Sequence, residues 1–419
     1  MTARFARSPR DPEFFRDPYP AYRAMRDLGD LFVWEDYGFA CSARHAVVGA
    51  ALRDRRFGRD VLHLASREDL GWPDPPPALA PFLAFERGSM LEREPPAHTR
   101  LRGLVNRAFT ARAVEGLRPA IARLAESLAE GIAREGQADL IADFAAPIPV
   151  AVICGLLGVP VEDGSQLVAW SHDMVAIYQF GADPAVEAAC VAATLAFQDY
   201  ARTAIAARRV RPRDDLLSAL VAARDGADRL TEDELVTTVI LLLNAGHEAT
   251  VHAIGNALAA ILSAGLDASE RGAAGADPSA LFADADATGR TVEECLRFDP
   301  PLHLFTRYAL EDFVFCGRSF VRGEKIGLLL AAAGRDPERF AAPDRFDPTR
   351  VPGPHLAFGA GIHFCVGAPL ARLELAVALP ILFGRLPGLR LAAPPVWRDS
   401  YHFRGLQRLD AVWSGGRTG

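Results

Sequence analysis

The spacing of hydrophobic and polar residues divides the chain into a helical middle and two ends that contain short β-like runs. Apolar positions recur at helical spacing through most of the region 97–262. The β-like runs are Leu31 to Ala40, Arg307 to Phe315, and Leu409 to Trp413. This pattern predicts a mainly α protein with a small β region, in which a large helical layer lies beside a minor sheet.

The clearest predicted element is a long helix that starts at a capping box. Thr231 and Glu234 have the spacing at which each side chain satisfies the other's backbone amide. The helix is predicted to end at Gly265, which gives it a length of about 50 Å. Gly246 and Glu248 occupy its most apolar part. Taken alone, they are explained by a packing glycine and by a carboxylate paired with a neighbouring base.

Composition and charge narrow the range of functions. The chain has 419 residues, of which 50% are hydrophobic and 24% are charged, so it can bury a sizeable core. We find no linker-like segment or internal repeat and expect one domain over residues 1–419. The formal net charge of −7 lacks the basic surplus of proteins that bind nucleic acid.

Other features favour a cytoplasmic protein without a membrane anchor. The first residues lack an apolar signal-peptide core, and no helix-forming stretch is apolar for the ~20 residues that a membrane span needs. The six cysteines include no Cys-x-x-Cys pair, which argues against disulfides and zinc ribbons.

One cysteine lies in a setting that favours metal binding. The segment Phe358 to Glu374 begins with a glycine-rich bend and continues into an amphipathic helix. Cys365 stands just before the start of that helix. The unpaired amides there favour the thiolate, which is the form of cysteine that binds metal.

This segment resembles the haem-binding loop of the cytochrome P-450 family, whose pattern is Phe-Gly-x-Gly-x-His-x-Cys-x-Gly. The sequence matches it at every fixed position: Phe358, Gly359, Gly361, His363, Cys365 and Gly367. The resemblance implies haem b with Cys365 as the axial thiolate, and O2 as co-substrate. It also implies that the glycines admit the backbone close to the porphyrin and that Phe358 packs near the sulfur.

The resemblance extends over nearly the whole chain. Glu294 and Arg297 are similar to the family's Glu-x-x-Arg helix, and with Arg345 they would form a buried, structural triad. Haem also carries two propionates that arginine and histidine are suited to bind. The residues that the resemblance assigns to them are His98, Arg102, Arg307 and His363.

The middle of the long helix resembles the family's oxygen-binding segment. The resemblance implies that Ala245 and Gly246 let dioxygen approach and that Glu248 is the acid of an acid–alcohol pair that relays protons. The alcohol is expected next, but Ala249 occupies its place and Thr250 follows one residue later. Three explanations are open: a helix distortion recruits Thr250, a substrate hydroxyl or water replaces the alcohol, or efficient O–O scission is not needed. We favour the second.

By resemblance, the substrate pocket has a mostly apolar lining. The apolar candidates are Phe82, Leu83, Phe85, Leu242, Leu302, Leu304 and Phe305. The residues that could orient a polar group are His303, Tyr401 and His402. Such a lining favours a hydrophobic small molecule as substrate.

The sequence contains no flavin or iron–sulfur segment, so electrons are expected from a separate ferredoxin and ferredoxin reductase. Arginines that could form a docking patch, or could simply be scattered solvated charges, are Arg100, Arg107, Arg335 and Arg372. The predicted function is a haem-thiolate monooxygenase that hydroxylates or epoxidises its substrate. The alternatives are an atypical oxidase or peroxygenase and, less favoured, a non-catalytic haem or ligand-binding protein.

Overall fold

The computed structural model describes residues 2–180, 183–224, 228–270, 278–351, 353–401 and 403–414, with the backbone alone for 265–270. The α-helices within these residues are α1 (Pro12–Arg16), α2 (Tyr19–Asp27), α3 (His45–Ala51), α4 (Ala80–Gly88), α5 (Ala97–Ala108), α6 (Ala111–Glu115), α7 (Arg118–Ala133), α8 (Pro147–Leu157), α9 (Gly164–Val175), α10 (Pro184–Val210), α11 (Leu216–Ala222), α12 (Glu232–Glu270), α13 (Ala285–Phe298), α14 (Leu330–Gly334) and α15 (Ala368–Arg385).

The strands are short and lie mainly towards the two ends of the chain, as predicted. They are β1 (Ala3–Phe5), β2 (Phe32–Trp34), β3 (Phe39–Ser42), β4 (Phe57–Gly58), β5 (Gln137–Asp139), β6 (Leu304–Ala309), β7 (Phe313–Phe315), β8 (Arg318–Phe320), β9 (Lys325–Leu329), β10 (Arg390–Leu391), β11 (Val396–Trp397), β12 (Leu406–Arg408) and β13 (Asp410–Val412).

The largest sheet joins the N-terminal strands to strands that follow α13. Its order is β1-β2-β3-β9-β6-β4. Strand β3 pairs in parallel with β9, with Cys41 opposite Gly327. A Cβ at Gly327 would lie 2.6 Å from the Cys41 sulfur, so glycine is needed for this close pairing. The prediction of a mainly α fold with a minor sheet is confirmed.

The long central helix α12 begins as predicted but ends later. The Thr231 hydroxyl accepts a hydrogen bond from the Glu234 amide at 3.3 Å, and the Thr231 amide donates to the Glu234 carboxylate at 2.8 Å. The predicted stop at Gly265 is wrong, because the helix runs on to Glu270. A glycine costs a helix only about 1 kcal/mol relative to alanine, which need not end it. The helix is about 58 Å long at 1.5 Å per residue.

The predicted buried triad forms with one different member. Arg297 donates from Nε and Nη2 to the two carboxylate oxygens of Glu294, both at 2.7 Å. The second guanidinium at Glu294 belongs to Arg350, with its Nε at 3.4 Å from the carboxylate, so the assignment of Arg345 is corrected. Arg345 contributes its carbonyl oxygen, which accepts from Arg297 at 3.3 Å. The triad ties α13 to the loop before the cysteine segment.

The cysteines and the helices agree with the sequence-based expectations on two points. All six cysteines are free thiols, and five of them are buried or remote from the glycine-rich segment. Among the described residues, no helix is both long enough and apolar enough to cross a membrane.

Candidate active site

The glycine-rich loop before α15 is bent at two left-handed residues. Gly359 and Gly361 have φ angles of 68° and 72°, which favour glycine. A Cβ at Gly361 would lie 2.2 Å from the carbonyl oxygen of Leu52. Gly361 is therefore required where the loop packs against the end of α3, a reason different from the expected approach to a porphyrin. Gly367 caps α15 with an ordinary φ of −79°.

Cys365 lies at the turn into α15 and is solvent-accessible. Its amide donates to the carbonyl of Phe358 at 3.0 Å, and the amides of Gly367 and Ala368 donate to its sulfur. Protein atoms still surround the thiol on most sides, so desolvation raises its pKa, and these amides with Arg102 oppose the rise. In the protein alone, desolvation thus outweighs the lowering of the Cys365 pKa that the start of α15 was predicted to cause. A coordinated metal deprotonates a thiol outright.

The loop is fixed by an ion-pair network that the sequence analysis missed. The carboxylate of Glu293 on α13 accepts hydrogen bonds from Nε and Nη2 of Arg372, at 2.5 and 2.9 Å, and lies 3.2 Å from Nε2 of His355. Burial favours the protonated acid, but hydrogen bonds from His355 and Arg372 lower the pKa of Glu293 to about 2. The guanidinium of Arg372 also covers the ring of Phe358 at 4.6 Å. No local spacing marks Glu293, because its partners lie more than 60 residues further along the chain.

The residues predicted to bind propionates form a cluster beside this loop. The rings of His98 on α5 and His363 are 4.3 Å apart. Burial, with the neighbouring His363 and Arg102, lowers the pKa of His98 to about 4. Among the described residues, no hydrogen-bond partner reaches His98 Nδ1. Arg102, one turn along α5, is near enough to Cys365 for the two groups to influence each other's pKa.

Arg307 on β6 adds a buried cation to the cluster. Its side chain donates to the carbonyl of Thr306 at 2.9 Å, and burial together with Arg59 lowers its pKa to about 10. Arg59 was not predicted, since nothing local distinguishes it from its many arginine neighbours. Glu94 and Glu92 partly balance these charges, through His363 and Arg59 respectively. A buried arginine whose pKa is lowered by burial and by a second arginine, next to an imidazole nitrogen without a partner, fits a group that brings anionic oxygens, such as haem propionates.

The middle of α12 exposes one stripe of small residues. Ala245 is exposed and Ala249, one turn on, is half-buried, whereas Gly246 faces α8. A Cβ at Gly246 would lie 2.8 Å from the side chain of Ile153. The structure therefore gives this glycine a role in helix packing, and its expected role in oxygen access stays a prediction. The Thr250 hydroxyl donates to the carbonyl of Gly246 at 3.4 Å inside an unbroken helix. No distortion recruits Thr250 to the site.

Glu248 lies on the same part of α12 but points to a different set of groups. Its Oε1 is 3.8 Å from Nε2 of both His172 and His252, and 3.7 Å from Nη1 of Arg398. Burial opposes ionisation of this carboxyl, yet the neighbouring imidazoles of His252 and His172 hold the pKa of Glu248 below its usual value. At neutral pH the side chain is a carboxylate.

The predicted substrate-pocket residues separate into two groups. Phe82 and Phe85 on α4 are buried together, and the ring of Tyr178 lies 6.2 Å from that of Phe82. Leu83 and Leu242 pack in the same helical core. Leu302 forms a β-bridge with Phe403, and the ring of Phe305 lies beside Gly359 in the cysteine loop. His402 lies outside the described residues.

Three residues of the predicted pocket are instead part of a separate core behind β6. His303 is fully buried, with Nδ1 2.8 Å from the Tyr22 hydroxyl and Nε2 3.5 Å from Asp299. The Tyr22 hydroxyl also donates to that of Tyr401 at 3.0 Å, and Leu304 packs in the same cluster. The expected roles of His303 and Tyr401 in orienting a substrate are wrong, because both polar groups are already paired.

The predicted docking patch is not one surface of free arginines. Arg335 is buried between the rings of Tyr19 and Phe298, at 3.2 and 3.7 Å from their centroids. Arg100 pairs with Glu234 at 2.9 Å, and Arg372 pairs with Glu293. Arg335 is therefore removed from the patch.

Comparison with known proteins agrees with this geometry. The family model described as "Cytochrome P450" matches residues 282–386, which include α13 and the cysteine loop. "Cytochrome P450 107B1" of Saccharopolyspora erythraea is 39% identical over 95% of this chain and 96% of its own length. "Vitamin D(3) 25-hydroxylase" of Pseudonocardia autotrophica is 38% identical over 94% of each chain.

A similar solved structure is that of P450BioI in complex with hexadec-9Z-enoic acid ligated acyl carrier protein. It superposes with a TM-score of 0.86 at 32% identity, over 96% of this chain and 99% of that one. Relatives of this identity and coverage, together with the cysteine loop and its cationic neighbours, establish that the chain belongs to the cytochrome P450 family of monooxygenases.

Proposed function

We propose that the chain binds haem b through Cys365 and inserts one atom of O2 into a C–H or C=C bond of a hydrophobic small molecule. The observation that carries this proposal is the solvent-accessible residue Cys365, whose sulfur accepts from two backbone amides beside a buried arginine and histidine cluster. A haem with a thiolate ligand supplies the oxygen-activating chemistry, and cytochromes P450 are the type case.

The protein residues have distinct tasks in this proposal. Gly359 and Gly361 fix the bend that presents Cys365, and Phe358 holds the loop through its carbonyl. His98, Arg102, Arg307 and His363 would bind the two propionates, because Arg307 is a buried cation, His98 Nδ1 has no hydrogen-bond partner among the described residues, and Arg102 and His363 lie beside them. The small side chains of Ala245 and Ala249 would leave room for oxygen and substrate beside α12.

Proton delivery in this chain relies on a substrate hydroxyl or a water next to Ala249. The regular helix and the internal hydrogen bond of Thr250 support this explanation over a helix distortion. Glu248 would relay protons, since its carboxylate is buried next to Ala249 and lies 3.7 to 3.8 Å from three basic groups. The carboxylate of Glu248 would accept a proton that comes from solvent and pass it on.

The substrate class is inferred from the lining and from relatives. Phe82, Phe85 and Leu242 are apolar, and one relative's name refers to vitamin D while one structure contains a C16 acyl group. We propose a hydrophobic molecule of small to medium size, electrons from a separate ferredoxin and its reductase, and a single domain over the whole chain.

The test is oxygen incorporation under 18O2. The haem-loaded protein is combined with a surrogate ferredoxin system and a panel of hydrophobic compounds that shift its Soret band. The proposal expects a product that contains one 18O atom, and no such product from the Cys365→Ser variant. A product whose oxygen comes from water, or equal product from the variant, would contradict it.

Ala249 favours one second candidate, a peroxide-using enzyme. Hydrogen peroxide already carries the protons that a threonine-assisted relay would deliver. Comparing turnover with peroxide against turnover with the ferredoxin system decides between them, because a peroxygenase would be faster with peroxide.

A further inference from the structure

A cavity of about 50 Å³ lies where α9, α12 and the loop after β11 meet. The polar residues that line it are His172, Gln179, Glu248, Arg398 and Ser400. A water molecule needs about 10–15 Å³ of such volume and two or more polar partners. The cavity therefore has room and partners for a small group of waters.

Glu248 lines the buried side of this cavity. Its side chain is 9% exposed, and among the described residues no hydrogen bond reaches its Oε2. The distances of 3.7 to 3.8 Å from Oε1 to Arg398, His172 and His252 are too long for good direct hydrogen bonds. Groups at this separation can share a bridging water.

The basic groups around Glu248 differ in their access to solvent. The side chain of His252 is 2% exposed, and a Cβ on Gly405 would lie 1.9 Å from its ring, so this imidazole is enclosed. His247 is also buried, and its Nδ1 is 3.0 Å from the carbonyl of Leu243. The side chain of His172 is 41% exposed. His172 therefore reaches both bulk water and the cavity.

Chemistry distinguishes His172 from Arg398, the other half-exposed group. A guanidinium keeps its proton at any working pH, so Arg398 can attract the carboxylate but cannot exchange protons with it. Imidazole titrates near neutral pH and has two nitrogens, one for each side of a relay. Burial lowers the pKa of His172, and the nearby Glu248 partly opposes this.

The full set of titratable and charged groups that face Glu248 and His172 comes from three elements. These groups are His172 and Asp173 on α9, His247 and His252 on α12, and Arg398 after β11. His172 is the member that joins solvent to the cavity through an exchangeable proton.

We propose that this cavity is the proton entrance of the enzyme and that His172 passes protons from solvent, through cavity water, to the carboxylate of Glu248. The inference rests on the proposed oxygen-activating function. In each step, one imidazole nitrogen takes a proton from solvent and the other releases a proton to water. That water protonates the carboxylate. One proton moves inward, and no electron is exchanged.

The first test compares His172→Gln with the matched control His45→Gln. His45 is another partly exposed histidine, on α3, with Nε2 3.0 Å from the carbonyl of Pro354. The haem-loaded proteins reduce O2 alone, with electrons from a surrogate ferredoxin system, and peroxide and water are measured from pH 6 to 9. We expect His172→Gln to be slowed about ten-fold and to lose the pH inflection of the wild type. His45→Gln should retain it.

Chemical rescue supplies a readout that a structural role would not move. His172→Ala should be restored towards the wild-type rate by added phosphate, which titrates near neutral pH, and restored less by sulfate, which does not titrate there. The carbon monoxide spectrum of each variant shows that thiolate-bound haem is retained. Loss of that spectrum in the wild type would instead count against the proposed function.

A third measurement does not depend on turnover. The ring signals of His172 and His45 are titrated by NMR in the ferric haem-loaded protein and in Glu248→Gln. We expect removal of the carboxylate charge to lower the pKa of His172 and to leave that of His45 unchanged. An unchanged pKa of His172, a wild-type pH profile in His172→Gln, or absence of phosphate rescue would overturn the proposal.

Discussion

At the scale of single residues, the proposed route of protons to the oxygen site depends on position 249. Ala249 has no hydroxyl, and the hydroxyl of Thr250 is bound to the carbonyl of Gly246 on the inner side of the helix. In the proposed mechanism, the proton donor next to Ala249 is therefore water or substrate. Its position depends on the space that the alanine methyl leaves.

Threonine at position 249 would occupy that space. We expect Ala249→Thr to lower the product formed per reductant consumed by about two-fold or more, with extra peroxide released and a smaller change in substrate affinity. Ala249→Val is the matched control, because valine has the shape of threonine without its hydroxyl. Product, reductant and peroxide are measured with a substrate found by 18O incorporation. Unchanged coupling and unchanged peroxide release in Ala249→Thr would refute the explanation.

Arg307 is the residue on which the proposed propionate binding depends most clearly. It is buried, and burial together with Arg59 lowers its pKa to about 10. The charged guanidinium is therefore disfavoured in the protein alone, and a bound anion would stabilise it. We expect Arg307→Met to release haem to excess apomyoglobin about ten-fold faster, equivalent to ~1.4 kcal/mol. The control is Arg322→Met, since Arg322 is an exposed arginine between β8 and β9. Equal rates in the wild type and Arg307→Met would remove Arg307 from the haem site.

At the scale of elements, the start of α12 was predictable from local sequence, whereas its end and the long-range ion-pair partners were not. The box of Thr231 and Glu234 was predictable because its contacts span three residues. The choice of Arg350 over Arg345 at Glu294 depends on how a loop some 50 residues away is folded. Spacing along the chain contains no information about that loop.

The corrected triad gives a direct stability comparison. Arg350 faces the buried Glu294 carboxylate and donates to the carbonyls of Ala342 and Arg345, whereas the side chain of Arg345 has no part in the triad. We expect Arg350→Ala to lower the free energy of unfolding by about 1–3 kcal/mol and Arg345→Ala to change it by less than about 0.5 kcal/mol. Denaturant unfolding measures both. A larger loss in Arg345→Ala would restore the original assignment.

At the scale of the whole molecule, a helical body and a sheet made from distant parts of the chain enclose the site. The buried set of Tyr22, His303 and Tyr401 shows why the substrate pocket was the least predictable part. His303 and Tyr401 lie 281 and 379 positions after Tyr22 in the sequence. Whether a polar side chain faces a core partner or a ligand is decided only when those segments pack.

Acid stability follows from the network that joins α13, the cysteine loop and α15. Hydrogen bonds from His355 and Arg372 lower the pKa of Glu293 to about 2, so ionised Glu293 stabilises the fold. This contribution is complete above the unfolded pKa of about 4.3 and is lost as pH falls towards 2. We expect Glu293→Gln to be less stable than the wild type at pH 7, with the difference shrinking below about pH 4.

Unfolding of the haem-loaded protein over this pH range checks the prediction. Glu130→Gln is the control, because Glu130 is exposed and pairs with Arg385 at the surface. A stability difference for Glu293→Gln that stays constant down to pH 3 would show that the carboxylate charge is not what stabilises the loop.

The central claim is that Cys365 is the thiolate ligand of a haem. The most direct measurement is the visible spectrum of the purified protein after reduction and exposure to carbon monoxide, recorded beside that of Cys365→Ser. We predict a strongly red-shifted Soret band in the wild type and its loss in the variant. A histidine-type spectrum in both proteins, or no haem in the wild type, would contradict the claim.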